Sequence, residues 1–145
     1  MTKFILGIDP GRHGAIAVLD VAAHRVTAHD MPDTIAGLHD LIVSLPIIAA
    51  AYLEKPFYPA SIGTANAARI AEAYGALKGA LQWRSIPARE VMPKIWKASL
   101  GLSTSKAASR DKASMLFPDD AAQWKRVKDD GRAEAALIAW WGAQK

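Results

Sequence analysis

Phe4-Ile5-Leu6-Gly7-Ile8-Asp9-Pro10-Gly11 is an apolar run that ends in a carboxylate and then breaks into a proline and glycine turn. Such a run, closed by Pro10 and Gly11, reads as a buried strand. An aspartate at that junction is held by the core while its carboxylate faces solvent, which suits it to bind a metal. Ile47-Ile48-Ala49-Ala50-Ala51-Tyr52-Leu53 repeats the arrangement, ending in Glu54 and stopped by Lys55-Pro56. Two strand ends thus carry one acid each.

Further acids come from Lys128-Asp129-Asp130-Gly131-Arg132-Ala133-Glu134-Ala135 and the apolar residues after it. On a helix Asp130 and Glu134 share a face, and the stripe continues through Leu137, Ile138 and Trp141, which would pack on the sheet. Packing the apolar end aims the acidic end at the sheet edge. Four carboxylates gathered in this way need cations. Oxygen-only donors, in a chain with no cysteine, select Mg²⁺ or Mn²⁺ rather than zinc. Two such ions roughly 3.5–4 Å apart can activate a water and stabilise the leaving oxygen of a phosphodiester. The predicted chemistry is metal-dependent phosphodiester hydrolysis, with Asp9, Glu54, Asp130 and Glu134 as catalytic ligands. Asp129 is the alternative ligand, or else a cap for the helix amides.

Patterning predicts strands over 3–9, 14–20, 24–30, 47–53 and 84–88. It predicts helices over 34–44 with Asp33 as N-cap, and over 62–82, 91–99, 104–116 and 131–143. Three early strands followed by alternating strands and helices make an α/β fold, with a mixed five-stranded sheet flanked by helices on both faces. The 145 residues suit a single domain spanning 1–145. Absent cysteines, no signal-like start at Met1-Thr2-Lys3 and no apolar run near the roughly 20 residues of a membrane helix predict a soluble cytoplasmic protein with no membrane partner. Of the net charge of +4, residues 78–128 hold 11 basic and 4 acidic groups, so the excess lies in one segment. That layout suits an enzyme that holds a polyanion beside its acids, although an ordinary solvated helical surface has the same composition.

Gly7-Ile8-Asp9-Pro10-Gly11, Glu54-Lys55-Pro56, Pro93-Lys94-Ile95-Trp96-Lys97 and Asp130-Gly131-Arg132-Ala133-Glu134-Ala135 occur in an order that closely resembles the RuvC-type Holliday junction resolvases. The spacing is most similar to the short bacteriophage members, which would act in the host cytoplasm. The resemblance spans nearly the whole chain. It implies the RNase H-like fold, a homodimer, and paired nicking of four-way DNA junctions; taken with the acids, it makes the expected activity the cutting of branched DNA with two metal ions per site. This chain departs from the family in its last acidic pair, which there is often two aspartates three residues apart.

The resemblance also assigns an aromatic near the second acid to stacking on an opened base, which falls on Phe57, with Tyr58 second; the rival reading tucks the ring onto the core. Lys94 and Lys97 match the family's proline and lysine stretch that meets DNA phosphates. Lys106 and Arg110 share a face of the next helix, where the free amides after Ser103-Thr104-Ser105 could add a phosphate contact. A solvated basic face is the plain alternative for each. Gly63, Gly75 and Gly79 punctuate the alanine-rich helix expected over 62–82, which in the resembling family forms the dimer interface, unless they pack on the protein's own sheet. Trp96 is expected inside, and Trp83, Trp140 and Trp141 in the core. No histidine has ligand-like spacing. Three rival functions remain: a related nuclease acting on flaps, forks, RNA or RNA/DNA hybrids, a junction-binding module without catalysis, and a small ATPase. The last is disfavoured because sugar-kinase-like ATPases, which open with a similar Gly-Ile-Asp strand, need two such domains; no nucleotide cofactor is expected.

Overall fold

Short turns dictate an antiparallel start. In the computed structural model, which describes residues 2–145, β1 (Phe4–Asp9), β2 (Ala15–Asp20) and β3 (Arg25–Asp30) form a meander. β4 (Ile48–Glu54) and β5 (Ala88–Val91) then add in parallel on the other side of β1, giving the order β3-β2-β1-β4-β5. The parallel pairs need crossovers, supplied by α1 (Ile35–Ser44) before β4 and α2 (Thr64–Trp83) before β5. After β5 come α3 (Pro93–Ser99), α4 (Lys106–Leu116), 3-10 turns over Pro118–Trp124 and Val127–Asp129, and α5 (Asp130–Ala143).

Alternation along the strands divides the core into two layers. Leu6, Ile8, Ile16, Val18, Ala51 and Leu53 face α1 and α2, where Leu38, Ile42, Tyr74, Leu77 and Leu81 meet them. Ile5, Ala17, Leu19, Tyr52 and Val91 face the opposite layer of α5, with Trp96, Phe117 and Trp124. Asp9 continues the parity of Ile5, and Glu54 that of Tyr52. Strand period alone therefore puts both acids on the α5 side, at the carboxyl ends of neighbouring parallel strands.

α5 approaches the sheet as closely as a helix can. A Cβ at Gly7 would fall inside the backbone of Ala135 and Ala139, one at Gly131 would strike the His13 carbonyl, and one at Gly142 the Tyr52 ring. Glycine in the strand and alanine in the helix are what allow this contact. Residues Ala133 to Ala139 are all buried, so α5 is enclosed on every side rather than along one stripe.

Several boundaries differ from the sequence-based expectation, each for a local reason. The last strand spans 88–91 instead of 84–88, because the Ser85 and Ile86 amides bond back to Gln82 and Leu81 and Ser85 takes φ +54°, which turns the chain out of α2. The ladder begins only when the Ala51 amide reaches the Pro87 carbonyl. Thr34, not Asp33, caps α1, its hydroxyl accepting from the Gly37 amide at 3.0 Å. Helices α2, α3 and α4 begin two residues later than expected, after Gly63, at Pro93 and after the Ser105 cap. Trp83 is not core: it is 67% exposed at the end of α2, its ring beside His39. Trp140 and Trp141 are only half-buried, while Trp96 is fully enclosed as expected. Among the described residues no helix is long and apolar enough to cross a membrane.

Candidate active site

Asp9, Glu54 and Glu134 converge from β1, β4 and α5. Each offers a carboxylate oxygen, and these oxygens all lie within 4.8 Å of one another. Glu134 is 1% exposed, one turn into a helix whose height on the sheet is set where Gly131 meets the His13 carbonyl. Its neighbours hold it on both oxygens: Lys97 Nζ at 3.1 Å and Ser109 Oγ at 3.3 Å on Oε1, and Lys106 Nζ at 3.4 Å on Oε2. The Trp96 indole N–H donates to Glu54 Oε2 at 2.7 Å, fixing that carboxylate at the strand end.

The electrostatics follow from burying like charges together. Burial first, then Glu54 and Glu134, push the Asp9 carboxyl well above the ordinary carboxylate range, while Lys106 offsets part of this. Glu54 is also raised, by burial, against the opposing pull of the Trp96 hydrogen bond. Burial works against the Lys106 ammonium, yet Glu134, Asp9 and Asp130 outweigh it and raise its pKa. Two lysines thus leave the cluster short of positive charge. Three convergent oxygen donors, with no histidine or cysteine among them, fit a hard divalent cation. Asp9, Glu54 and Glu134 could hold one.

The two adjacent aspartates have different partners. Asp130 stands beside the triad and outside it, its Oδ2 3.4 Å from Lys106 Nζ. Asp129 is buried and taken by Arg126, whose Nε and Nη2 meet its two oxygens at 2.8 and 2.9 Å and whose pull keeps its carboxyl below the ordinary range. Asp129 therefore closes the turn before α5, and Asp130 is the one near the acids.

The remaining expected residues are distributed more widely. Phe57 is 78% exposed and Tyr58 also faces solvent, so neither ring is tucked onto the core. Lys94 is exposed, Lys97 turns inward onto Glu134, and Lys106, still more than half exposed, brings its ammonium to Glu134 and Asp130. Arg110 is half-buried, one nitrogen reaching the Lys125 carbonyl at 3.5 Å. Gly75 and Gly79 have open space where a side chain would be, as does Gly63, whose φ is +82°. They do not pack on the sheet.

Sequence reasoning passed over Ser109 as a partner of Glu134. It also read Trp96 as packing alone, when its N–H supports Glu54. A buried tryptophan must place its N–H somewhere, and that requirement was the available signal.

No family model and no curated protein matches the sequence. Solved structures do match the fold. Thermus thermophilus RuvC in complex with a Holliday junction substrate superposes with a TM-score of 0.70 at 17% identity, covering 97% of this chain and 92% of that one. A second Thermus thermophilus RuvC structure gives 0.64 at 15%, covering 97% and 95%. The yeast mitochondrial Holliday junction resolvase Ydc2 gives 0.56 at 18%, covering 98% and 80%. The chain therefore has the mixed five-stranded, RNase H-like fold of the RuvC-type resolvases.

Proposed function

We propose that this chain is a divalent-metal-dependent endonuclease that cuts branched DNA, resolving four-way junctions by paired nicks as a homodimer. The observation that carries the reading is the convergence of Asp9, Glu54 and Glu134, with Asp130 beside them, at the carboxyl ends of two parallel strands. Among solved proteins of this fold, RuvC is seen in complex with a Holliday junction substrate and Ydc2 is described as a Holliday junction resolvase, which supports the choice of substrate.

Asp9, Glu54, Glu134 and Asp130 would hold two Mg²⁺ or Mn²⁺ ions. Bound there, the ions would supply a nucleophilic hydroxide at neutral pH and stabilise charge on the phosphate. The chain's own groups do the positioning. The Trp96 N–H keeps Glu54 turned toward Asp9, and Ser109 keeps Glu134 from rotating away. Lys97 and Lys106 place two ammonium groups against the acids, within reach of a phosphate delivered to them. Lys94 and Arg110 extend positive charge outward from there. Exposed Phe57, three residues beyond Glu54, is placed to stack on a base opened at the branch, with Tyr58 next to it; such stacking contributes about 1–3 kcal/mol and tolerates any sequence. The open glycine face of α2, with Gly75 and Gly79, would seat the second subunit, with Gly63 just before the helix. Twofold symmetry would then set two sites on opposing strands. Such a chain works in the cytoplasm, or in a host's cytoplasm if a phage encodes it.

The ion pairs of Lys97 and Lys106 favour one rival, a junction-binding module whose acids are partly neutralised from within. An end-labelled immobile four-way junction, tested beside a flap, linear duplex, single strand and RNA/DNA hybrid in Mg²⁺ or EDTA, decides between them. Symmetric nicks in the junction alone, abolished by EDTA, are expected. Equal cutting of flaps or hybrids would replace the substrate, and tight junction binding with no cutting in Mg²⁺ or Mn²⁺ would support the module.

A further inference from the structure

The carboxyl ends of β1 and β4 serve two sides of the sheet. On the α5 side their last residues are the acids Asp9 and Glu54; on the α2 side Pro10, Gly11, Arg12 and Pro56 of the loops that follow form the rim of a separate groove of about 670 Å³. Its wall is largely apolar, made by Met31 and Pro32 from the end of β3 and by Ile70 and Tyr74 from α2. The helix pattern explains why the groove exists. Ile70, Tyr74, Leu77 and Leu81 form one stripe at spacings of four, three and four. Tyr74, Leu77 and Leu81 lie buried on the sheet while Ile70 is only half-buried. Twenty helical residues extend about 30 Å, whereas seven strand residues extend about 23 Å. The N-terminal part of α2 thus overhangs the strand ends and roofs the space.

Two features say what belongs there. Arg12 and Arg69 both line the groove, and neither forms an ion pair among the described residues. Among the described residues the Arg69 side chain hydrogen-bonds only to the Asn66 amide oxygen. Unpaired guanidinium groups beside an apolar wall match a phosphate joined to a flat ring. The volume lies within the range of sites that take one small organic group, and a duplex would not enter it. Asp33, also in the lining, offers an acceptor for a base N–H.

We propose that this groove seats one unpaired nucleotide of the substrate strand next to the cut, its phosphate on Arg12 and Arg69 and its base against Met31, Pro32, Ile70 and Tyr74. This deepens the branched-DNA reading and rests on it. A strand crossing the ends of β1 and β4 would place its scissile phosphate on the acids and the neighbouring residue over the edge, in the groove. Only branched or opened DNA has a free base to give, so the groove would favour such substrates over duplex. It is distinct from the open glycine face, because Gly75 and Gly79 lie on the opposite side of α2 from the Ile70 stripe.

NMR titration of the metal-free full chain with a 5′-phosphorylated single-stranded tetranucleotide, beside binding of a four-way junction in the same EDTA buffer, tests this. Amide shifts centred on Arg12, Ile70 and Tyr74 are expected, with affinity falling at least about tenfold in both Arg69→Ala and Arg12→Ala. Both arginines are exposed, and retained helix and sheet spectra would show that each variant folds. Shifts elsewhere, or unchanged affinity in both variants, would overturn the proposal. So would shifts at these residues that follow protein concentration without nucleotide, which would give the groove to a second copy of the chain. Junction binding without tetranucleotide binding in the groove removes this site and leaves the function standing; loss of both removes the two together.

Discussion

α2 and α5 are both rich in alanine and glycine, yet they have opposite fates. α5 is buried at nine of its fourteen positions and carries Glu134 into the site; α2 is buried at only three of twenty and leaves Gly75 and Gly79 facing open space. Small residues are permissive, and the surface they meet decides what they permit. Opposite α5 lies Gly7, the one position of β1 where a helix backbone can touch the strand. Opposite α2 lie Leu6, Ile8, Ala51 and Leu53, which hold the helix off with side chains and leave its outer face for solvent or a partner.

The contrast breaks most sharply at Gly7. Gly7→Ala puts a methyl into the α5 backbone, where neither side can yield, and should cost about 3 kcal/mol or more, lowering Tm by about 10 °C in a domain of this size. Cleavage should fall with it, since Glu134 moves with the helix. A variant with wild-type melting would mean that α5 does not sit where described.

Trp96→Phe tests the site without the fold. It keeps an aromatic ring in the core and removes the N–H that holds Glu54. Loss of such a supporting hydrogen bond typically costs about 10–100-fold in metal affinity or activity, to be read from Mn²⁺ binding and junction cutting. An unchanged Mn²⁺ affinity would make the hydrogen bond incidental.

Two ends of the α5 layer should also respond differently to pH. Asp9 and Glu54 keep their protons in the fold at pH values where the unfolded chain has lost them. The metal-free protein should therefore lose stability as pH rises from the ordinary carboxylate range through the raised range of Asp9. Asp120, held by the Arg25 side chain and the Val26 amide, is shifted downward, so its contribution is present above the ordinary range and disappears as pH falls through its lowered value. Denaturant melts across pH in EDTA should show the first slope in wild type and a flatter one in Asp9→Asn; equal slopes would place Asp9 in a wetter setting.

Gly75→Ala and Gly79→Ala are the mildest changes. On an exposed helix face each should raise the stability of the dilute chain by about 0.5–1 kcal/mol. A loss would mean that these glycines are packed.

Much of this was legible in the sequence. Asp9 and Glu54 were readable because strand ends punctuated by Pro10 and Pro56 are local signals, and Glu134 because four-residue spacing puts it on the face of Asp130. What escaped depends on contacts across the fold. Asp129 and Asp130 are equivalent in sequence, and only the bidentate Arg126 separates them. Lys97 and Lys106 read as an outward basic face, since nothing local reveals that Glu134 lies within 3.4 Å of both. The β5 register depends on how α2 ends at Ser85, and the exposure of Trp83 on how far that helix runs.

The most direct measurement is single-turnover cutting of an end-labelled four-way junction in Mg²⁺ by wild type and Asp9→Asn, with junction binding measured in parallel. Losing a metal ligand should exceed the loss from a supporting residue, so the rate should fall by more than about a hundredfold while binding is kept. Asp9→Asn cutting at the wild-type rate would contradict the account, because the acids that converge at the strand ends would then not be the groups that do the chemistry.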